Sequence, residues 1–414
     1  MLARVFTRFI LISSLAFPIA SNADTAELIE VPVNPAASIA LPAGFKLNVF
    51  ANLKAANSDF FRGARFMAFG PDGNLYISTG MDNQVLMLPD ANKDGVADQV
   101  VVVADNLNAP QGLTFVKDKL LVANQDGVVQ LIPNNGKWPA KSSQPLISGL
   151  SAGGHKLKTL KLGPDGYLYL NVGSSCNVCD ETDAMRATIH RYSLNGQRAG
   201  QPAGALETLG RHAQSPVWAR GLRNSQGFAW HPQTGAMFAT NNGSDMRADT
   251  KGGKVNDEIP PEHLNRIEPG KNYGWPHCWG VRDAAGIYRH TTDPNFPGAD
   301  GLCDSAQAPE ITFPSHSTPL GITFLNDTKW PSEYKTDAIV ALHGSWNRQQ
   351  PSGYKLVRVK FKQDKPVEVV DFATGWLNNK SAWGRPVDVI VGPDGALYVS
   401  DDRAGMIYRI TYKK

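Results

Sequence analysis

The chain has 414 residues, of which 42% are hydrophobic and 19% charged, so it can bury a large core and is not an intrinsically disordered protein. Its formal charge of only +3 argues against a basic groove for nucleic acid. The 39 glycines and 28 prolines are typical of a turn-rich all-β chain rather than a helical one.

The N-terminal segment, residues 1–23, has the pattern of a secretory signal peptide. Two arginines precede the apolar stretch Phe9 to Ala20, and Ser21-Asn22-Ala23 is a small-x-small cleavage site. The apolar stretch is short and contains Pro18, which disfavours a membrane anchor. We therefore expect an exported protein without a membrane anchor, either secreted or periplasmic.

A turn-centred hairpin recurs along the chain. Its core is a Gly-Pro-Asp-Gly turn followed by an alternating strand, because Pro presets φ and Gly accepts a positive φ. Copies with this turn start at positions 69, 162 and 391. Hairpins with other turn residues start at 115 and 230, and a degenerate copy starts at 324. These repeats predict an all-β fold, a six-bladed β-propeller with inserted loops that spans residues 41–414 after an N-terminal extension, residues 24–40.

One strand near the N-terminus, Leu47 to Leu53, belongs to none of these repeats. We expect it to complete the final blade and close the ring, as the first strand of a propeller can do. A β-sandwich is the alternative fold, but it would not explain a turn that is repeated over most of the chain.

The segment Asp90 to Asp98 resembles the first part of an EF-hand calcium loop. It has oxygen-bearing side chains at relative positions 1, 3, 5 and 9 and a glycine at position 6. The glutamate expected at position 12 is replaced by Val101. A structural calcium site is therefore one interpretation, and a solvated acidic turn is the other. The ligands of such a site would be Asp90, Asn92, Asp94, Val96 and Asp98.

Four cysteines in an exported chain indicate two disulfides. Four cysteines allow three connectivities, and proximity in sequence favours Cys176 with Cys179 and Cys278 with Cys303. A zinc site that uses the same four residues is the alternative, and an oxidising compartment disfavours it.

Polar side chains precede several hairpins at matching places in the repeat: Gln111, His155, Arg223 and Arg385. Strands that begin at the same blade position converge on one end of a propeller axis, so these side chains could meet there. A histidine beside arginines indicates a base next to an anionic ligand. The structural alternative is that each residue caps a turn or pairs with a surface carboxylate.

Several longer motifs suggest a family. They include Arg223-Asn224-Ser225-Gln226-Gly227, Asn256-Asp257-Glu258-Ile259, Asn272-Tyr273-Gly274-Trp275-Pro276 and Gly392-Pro393-Asp394-Gly395. From about Leu41 to its C-terminus the chain resembles the soluble quinoprotein sugar dehydrogenases, six-bladed propellers that use pyrroloquinoline quinone (PQQ) and calcium. Two further motifs are similar to the sorbosone and pyranose dehydrogenase branch: Ser174-Ser175-Cys176-Asn177-Val178-Cys179 and His343-Gly344-Ser345-Trp346-Asn347-Arg348.

The resemblance implies roles for individual residues. His155 matches the family's catalytic base, and Arg223 and Asn224 match the pair beside the quinone. Gly243 and Ser244 stand where the family offers two backbone carbonyls to the catalytic calcium. The other implied cofactor contacts are Gln111, Asn347, Arg348 and Arg385.

Two departures from the glucose dehydrogenase branch concern the carboxylates of the cofactor. Val387 stands where that branch has a second arginine, and Asn347-Arg348 stands where it has a lysine. The resemblance therefore implies that the carboxylates are held differently, and it does not imply a preference for glucose.

The implied activity is PQQ- and Ca²⁺-dependent oxidation of an aldose or a related, sorbosone-like sugar or aldehyde. Hydride would pass to PQQ with His155 as base, and a separate cytochrome or quinone would accept the electrons, since the sequence contains no haem-attachment motif. Two alternatives stay open: a calcium-dependent propeller lactonase, which would gather carboxylates around the axis, and a non-catalytic propeller that binds proteins.

Overall fold

The structure is a computed structural model that describes residues 27–28, 30–53, 63–200 and 215–413. The predicted signal peptide, residues 1–23, lies outside the described residues. Within the described part, six four-stranded antiparallel sheets make up most of the fold, and none of the helices is long and apolar enough to cross a membrane.

The strands are numbered in chain order, and β1 (Glu27–Leu28) and β2 (Phe45–Asn52) come first. Blade 1 contains β3 (Met67–Phe69), β4 (Leu75–Ser78), β5 (Val85–Leu88) and β6 (Val101–Ala104). Blade 2 contains β7 (Leu113–Val116), β8 (Lys119–Asn124), β9 (Gly127–Asn134) and β10 (Lys137–Ser148). Blade 3 contains β11 (Leu160–Leu162), β12 (Leu168–Val172), β13 (Thr188–Tyr192) and β14 (Val217–Arg220).

Blade 4 begins with β15 (Phe228–Trp230), β16 (Met237–Asn241) and β17 (Glu262–Ile267). An insert follows, formed by β18 (Cys278–Arg282), β19 (Tyr288–Thr292) and the helix α1 (Asp300–Ser305), before β20 (Ile311–Phe313) completes the blade. Blade 5 contains β21 (Pro319–Phe324), β22 (Ala338–Leu342), β23 (Lys355–Lys362) and β24 (Lys365–Ala373). The short strands β25 (Leu377–Asn378) and β26 (Ser381–Ala382) form a small sheet with β1.

Blade 6 combines the two ends of the propeller. It contains β27 (Pro386–Val391), β28 (Leu397–Asp401) and β29 (Met406–Tyr412), and its outer strand is β2. β2 pairs antiparallel with β29, from Phe45 opposite Tyr412 to Asn52 opposite Met406. The predicted six-bladed propeller, closed by the strand near Leu47, is therefore confirmed.

The repeated turn has a physical explanation in the side chains around it. In blade 1 the amide of Gly73 donates to the carbonyl of Gly70, and Gly73 has a φ of 78°, which a residue with a Cβ would rarely adopt. The carboxylate of Asp72 accepts a hydrogen bond of 2.8 Å from the hydroxyl of Tyr76 in the following strand. The same bond joins Tyr169 to Asp165 in blade 3 and Tyr398 to Asp394 in blade 6.

Packing between blades places the innermost strands around the axis. Second strands such as β12 and β22 are buried along their whole length, because each lies between two neighbouring blades. Innermost strands of neighbouring blades contact one another, for example β7 with β11 and β21 with β27. Gly227, just before β15, has no room for a side chain, since a Cβ would lie 1.7 Å from the carbonyl oxygen of Leu320. The segments that precede the innermost strands are therefore held close together at one end of the axis.

Both predicted disulfides are present, Cys176–Cys179 and Cys278–Cys303. The first closes a four-residue loop that follows β12, and the second ties β18 to α1 within the insert of blade 4. Because all four cysteines are bonded in these pairs, the zinc alternative does not apply.

Candidate active site at one end of the propeller axis

A cavity of ≈ 530 Å³ opens where the segments before the innermost strands meet. It is large enough for a small organic molecule. Five of the sequence-predicted residues line it: His155, Arg223, Asn224, Gly243 and Arg385. Several residues that the sequence reasoning missed also line it: Arg65, Lys156, Gln226, Asn242, Asp245, Glu262, His343 and Trp346.

His155 is held in one tautomer by its neighbours. Its Nδ1 lies 2.8 Å from the hydroxyl oxygen of Ser174 and 3.3 Å from the carbonyl oxygen of the same residue. The hydroxyl of Ser174 donates to the carbonyl oxygen of Cys176 at 2.6 Å, so it can only accept from the imidazole. Nδ1 therefore carries the proton, and Nε2 keeps its lone pair.

The imidazole of His155 is also kept neutral. Burial lowers its pKa to about 4, and the nearby positive charge of Arg223 acts in the same direction. No described residue is hydrogen-bonded to Nε2, and His155 lines the cavity. The cavity therefore contains a neutral imidazole nitrogen that can accept a proton.

Arg223 also lines the cavity and is fixed by hydrogen bonds on one side of its guanidinium. Its Nη2 donates to the carboxylate of Asp245 at 2.9 Å and to the side-chain oxygen of Asn177 at 2.9 Å. Burial raises the pKa of Asp245, but hydrogen bonding from His316 and the charge of Arg223 outweigh burial, so the net pKa lies below its ordinary value. Asp245 is therefore an ionised partner that keeps Arg223 charged and oriented.

Two further guanidinium groups, those of Arg65 and Arg385, also line the cavity. Arg65 donates from Nη1 to Asp402 at 2.6 Å and from Nη2 to the side-chain oxygen of Gln111 at 3.0 Å. Arg385 donates to the backbone carbonyl of Gly344 at 2.6 Å. Both arginines are buried, with exposed fractions of 2% and 4%. Two buried cations beside an open cavity are suited to bind an anionic ligand.

His343 lies between these arginines and was also missed. Its Nε2 is 3.0 Å from the carboxylate of Asp402, which is shared with Arg65. Burial lowers the pKa of His343 to about 4, and the charge of Arg385 contributes to the lowering. A neutral His343 therefore donates a hydrogen bond to Asp402 without adding a third positive charge.

Oxygen atoms are concentrated around Gly243. The amide of Gly243 donates to the carboxylate of Glu262 at 2.5 Å, and burial raises the pKa of Glu262 to about 7. The side-chain oxygen of Asn242 is buried without a hydrogen-bond partner among the described residues. Carboxylate, amide and carbonyl oxygens are the ligands that Ca²⁺ prefers, so this donor set fits a calcium ion.

Three predicted residues lie next to the cavity rather than in its lining. Ser244 is buried, and its hydroxyl accepts a hydrogen bond of 3.2 Å from the indole of Trp275. Asn347 donates to Asp245 at 3.1 Å. Gln111 is fully buried beneath the lining, where it also donates to Gln226 at 3.2 Å. Asn347 and Gln111 thus contact lining residues, and Ser244 stands in the chain between Gly243 and Asp245, which both line the cavity.

Arg348 points elsewhere, although the sequence assigns it to the cofactor. Its guanidinium donates to the carbonyl oxygen of Ser315 at 3.0 Å and forms an ion pair with Glu258. It is not among the residues that line the cavity. Trp346, two residues earlier in the same motif, does line it and is 47% exposed.

The acidic loop between β5 and β6 is stabilised by its own side chains. The carboxylate of Asp90 accepts the amides of Asp94 and Gly95 at 3.1 and 3.0 Å, and Asp98 accepts the amide of Ala91 at 2.7 Å. These bonds are compatible with both interpretations of the loop. Calcium binding by Asp90, Asn92, Asp94, Val96 and Asp98 therefore stays a prediction.

Comparison with known proteins identifies the family. The TrAA12-like family model matches residues 44–413, most of the chain. The chain belongs to the TrAA12-like family. This membership, together with similarity to a PQQ-dependent pyranose dehydrogenase and to an aldose sugar dehydrogenase of Escherichia coli, confirms the resemblance that the motifs indicated.

One relative of this TrAA12-like protein is the PQQ-dependent pyranose dehydrogenase of Coprinopsis cinerea. It is 27% identical over 316 residues, which cover 66% of this chain and 41% of that longer protein. The calcium structure of the Trichoderma reesei family AA12 enzyme superposes with a TM-score of 0.75 at 20% identity, covering 94% of this chain and 100% of that one. The holo form of the Coprinopsis cinerea PQQ domain gives 0.73 at 21% identity, with coverages of 90% and 97%. These structural similarities establish the shared fold.

Proposed function

We propose that this protein is a PQQ- and Ca²⁺-dependent sugar dehydrogenase. It would oxidise an aldose or a related, sorbosone-like sugar or aldehyde and pass the electrons to a separate acceptor, a cytochrome or a quinone. The observation that carries the proposal is the composition of one cavity, in which the neutral base His155 and the cation of Arg223 face the same space as Arg65 and Arg385. The name of the Coprinopsis cinerea relative supports the choice of cofactor.

The residues around the cavity fit the proposed cofactor and metal. PQQ carries three carboxylates, and Arg65 and Arg385 could bind carboxylates through planar two-point contacts. Asn224 lines the cavity beside Arg223 and could bind the quinone part of PQQ. The carbonyls of Gly243 and Ser244, with the carboxylates of Asp245 and Glu262 nearby, would hold Ca²⁺.

PQQ, when bound, supplies the group that accepts the hydride. His155 accepts the proton of the substrate hydroxyl at Nε2, because Nδ1 is already protonated and donates to Ser174. Arg223 presents positive charge to the same space, where negative charge develops as that proton leaves. Leu157 and Leu320 contribute apolar surface to the lining of the same cavity.

Activity is expected to require both PQQ and Ca²⁺. Purified protein should take up PQQ, measured as a change in the absorbance of the cofactor, and oxidise aldoses with an artificial electron acceptor only after both are added. A chelator should abolish the activity, and Ca²⁺ should restore it. Full aldose oxidation by protein free of quinone and metal would contradict the proposal.

The same assay separates the alternatives. A calcium-dependent lactonase would hydrolyse lactones with metal alone and would not need PQQ. The carboxylates of Asp245 and Glu262 at the cavity are compatible with that activity, but the arginine cluster would have no role in it. A propeller that only binds proteins would neither take up PQQ nor turn over either substrate class.

We also propose that the protein is exported to the periplasm or the medium, on the basis of its N-terminal sequence. N-terminal sequencing of the protein from a secreting host is expected to begin at Asp24, directly after the Ser21-Asn22-Ala23 site. A mature protein that retains Met1 would contradict the export signal.

A further inference from the structure

The four-residue loop closed by Cys176–Cys179 lies next to both residues proposed for proton transfer and charge stabilisation. Asn177, inside this loop, is bound to Arg223 through two atoms. Its backbone carbonyl accepts from Nε of Arg223 at 3.1 Å, and its side-chain oxygen accepts from Nη2 at 2.9 Å. The carbonyl also accepts from the indole of Trp275 at 3.2 Å. Asn177 therefore contacts one whole edge of the guanidinium.

Asp245 completes this arrangement. Asn177 accepts from the amide of Asp245 at 2.8 Å and donates from Nδ2 to its carbonyl oxygen at 2.9 Å. The carboxylate of Asp245 then accepts from Nη2 of Arg223. Nη1 of Arg223 has no hydrogen-bond partner among the described residues, and Arg223 lines the cavity. The loop thus holds the guanidinium so that this nitrogen stays available to a bound molecule.

The same loop acts on His155 through Ser174, which stands directly before Ser175 and the disulfide. The carbonyl of Cys176 accepts the hydroxyl proton of Ser174, and that bond is what makes the hydroxyl an acceptor for Nδ1 of His155. The backbone of Ser174 also accepts from the amide of His155 at 2.9 Å and donates to the carbonyl of Arg223 at 2.8 Å. His155 and Arg223 are therefore both attached to one short segment.

This segment has no regular secondary structure to hold it in place. Residues 174–180 belong to no helix or strand, so the backbone ladder of β12 does not fix Cys176 or Asn177. Without the disulfide, the backbone of this segment would have more conformational freedom. Ordering it to make the hydrogen bonds of Asn177 and Ser174 would then cost more conformational entropy.

We propose that the Cys176–Cys179 loop is a positioning element for the reaction: Ser174 sets the tautomer of His155, and Asn177 orients the guanidinium of Arg223. Ser174 and Asn177 are positioning residues, and the disulfide restrains the backbone conformation in which they bind His155 and Arg223. The catalytic part of this inference rests on the proposed function, whereas the effect on the tautomer of His155 does not.

The protein contains its own matched control, because the second disulfide, Cys278–Cys303, ties the insert of blade 4. That insert contacts the residue that follows the first loop, where Nε2 of His277 lies 2.9 Å from the carboxylate of Asp180. The test compares Cys176→Ala/Cys179→Ala with Cys278→Ala/Cys303→Ala in the full mature chain. The single variants Ser174→Ala, Ser174→Thr and Asn177→Ala provide the comparison if a disulfide variant fails to fold.

The first measurement is the ¹⁵N spectrum of the histidine rings in protein without added PQQ, with His155→Gln used to assign the signal. The wild type, Ser174→Thr and the control disulfide variant should show His155 protonated at Nδ1. Ser174→Ala and Cys176→Ala/Cys179→Ala should show a population protonated at Nε2, because an acceptor at Nδ1 is lost or displaced. An unchanged tautomer in both variants would overturn the role of Ser174.

The second measurement is steady-state kinetics with PQQ and Ca²⁺. Cys176→Ala/Cys179→Ala and Asn177→Ala should lower kcat by about 10²-fold with little change in KM, as expected when a reacting group is misplaced. Equal kcat in the two disulfide variants, or a wild-type kcat in Asn177→Ala, would reject the role of the loop. If the wild type itself binds no PQQ, the proposed function fails, but the ¹⁵N comparison still decides whether the loop positions His155.

Discussion

Replacing His155 with alanine is expected to lower the turnover number by roughly 10²–10⁴-fold while PQQ and Ca²⁺ still bind. Proton abstraction is lost, but Arg65, Arg385 and the oxygens around Gly243 remain in place. Steady-state turnover at saturating PQQ and the PQQ absorbance titration measure the two effects separately.

His155→Gln provides a sharper version of this experiment. The glutamine amide could still donate to Ser174 but has no basic nitrogen, so its turnover should fall as far as that of the alanine variant. Near-normal turnover of the glutamine variant would reject His155 as the base and leave it a structural residue.

The pH profile gives an independent check, because only the neutral imidazole accepts a proton. Burial and the charge of Arg223 lower the pKa of His155 to about 4, so the neutral form predominates above that value. Activity, expressed as kcat/KM, should therefore rise with pH around pH 4 and be constant through the ordinary titration range of histidine. A rise centred near the unperturbed histidine pKa of about 6.5 would show that His155 is not buried beside Arg223 as described.

The sequence predicted the fold well because the signal for it is local. A Pro-Asp-Gly turn needs a glycine with positive φ, such as Gly73, and an aspartate within reach of a tyrosine in the next strand, such as Asp72 with Tyr76. These requirements are met within a few residues, so each hairpin can be recognised without knowledge of the others. Six hairpins predicted six blades, and the strand near Leu47, which belonged to no hairpin, predicted that the first and last parts of the chain share one blade.

The site was predicted only in part, because its residues come together through loops whose paths are not periodic. Arg65 precedes β3 as Gln111 precedes β7, but no motif surrounds it, and only an alignment of the blades would have found it. Asp245 and Glu262 are recognisable as site residues only when their contacts with Arg223 and Gly243 are known.

Arg348 shows why a motif does not fix the direction of a side chain. It shares the His343 to Arg348 motif with Trp346, and the sequence assigns it to a cofactor carboxylate. The segment is an irregular loop, so neighbouring side chains point in unrelated directions: Trp346 lines the cavity, whereas Arg348 binds Glu258. The buried cation that the sequence missed, Arg65, lies at the cavity instead.

Because Arg65 and Arg385 line the cavity and Arg348 does not, substitutions of these three arginines should affect PQQ affinity differently. Charge-assisted hydrogen bonds contribute about 1.5–3 kcal/mol each, so Arg385→Ala and Arg65→Ala should each weaken PQQ binding by roughly 10- to 150-fold. Arg348→Ala should change PQQ affinity little, because its guanidinium is bound to Glu258 and Ser315 outside the cavity lining.

Arg385→Lys separates the charge from the geometry of that contact. Lysine keeps the positive charge but cannot make a planar two-point contact with a carboxylate, so its PQQ affinity should fall between those of the wild type and Arg385→Ala. Equilibrium titration of PQQ followed by absorbance gives the dissociation constants of the wild type and of the four variants under one set of conditions. A loss in Arg348→Ala as large as that in Arg385→Ala would restore the sequence-based assignment of Arg348 and would mean that the cavity rearranges when the cofactor binds. Wild-type affinity in both Arg65→Ala and Arg385→Ala would show that the cluster does not hold the carboxylates, and the cofactor site would then have to lie elsewhere on the propeller.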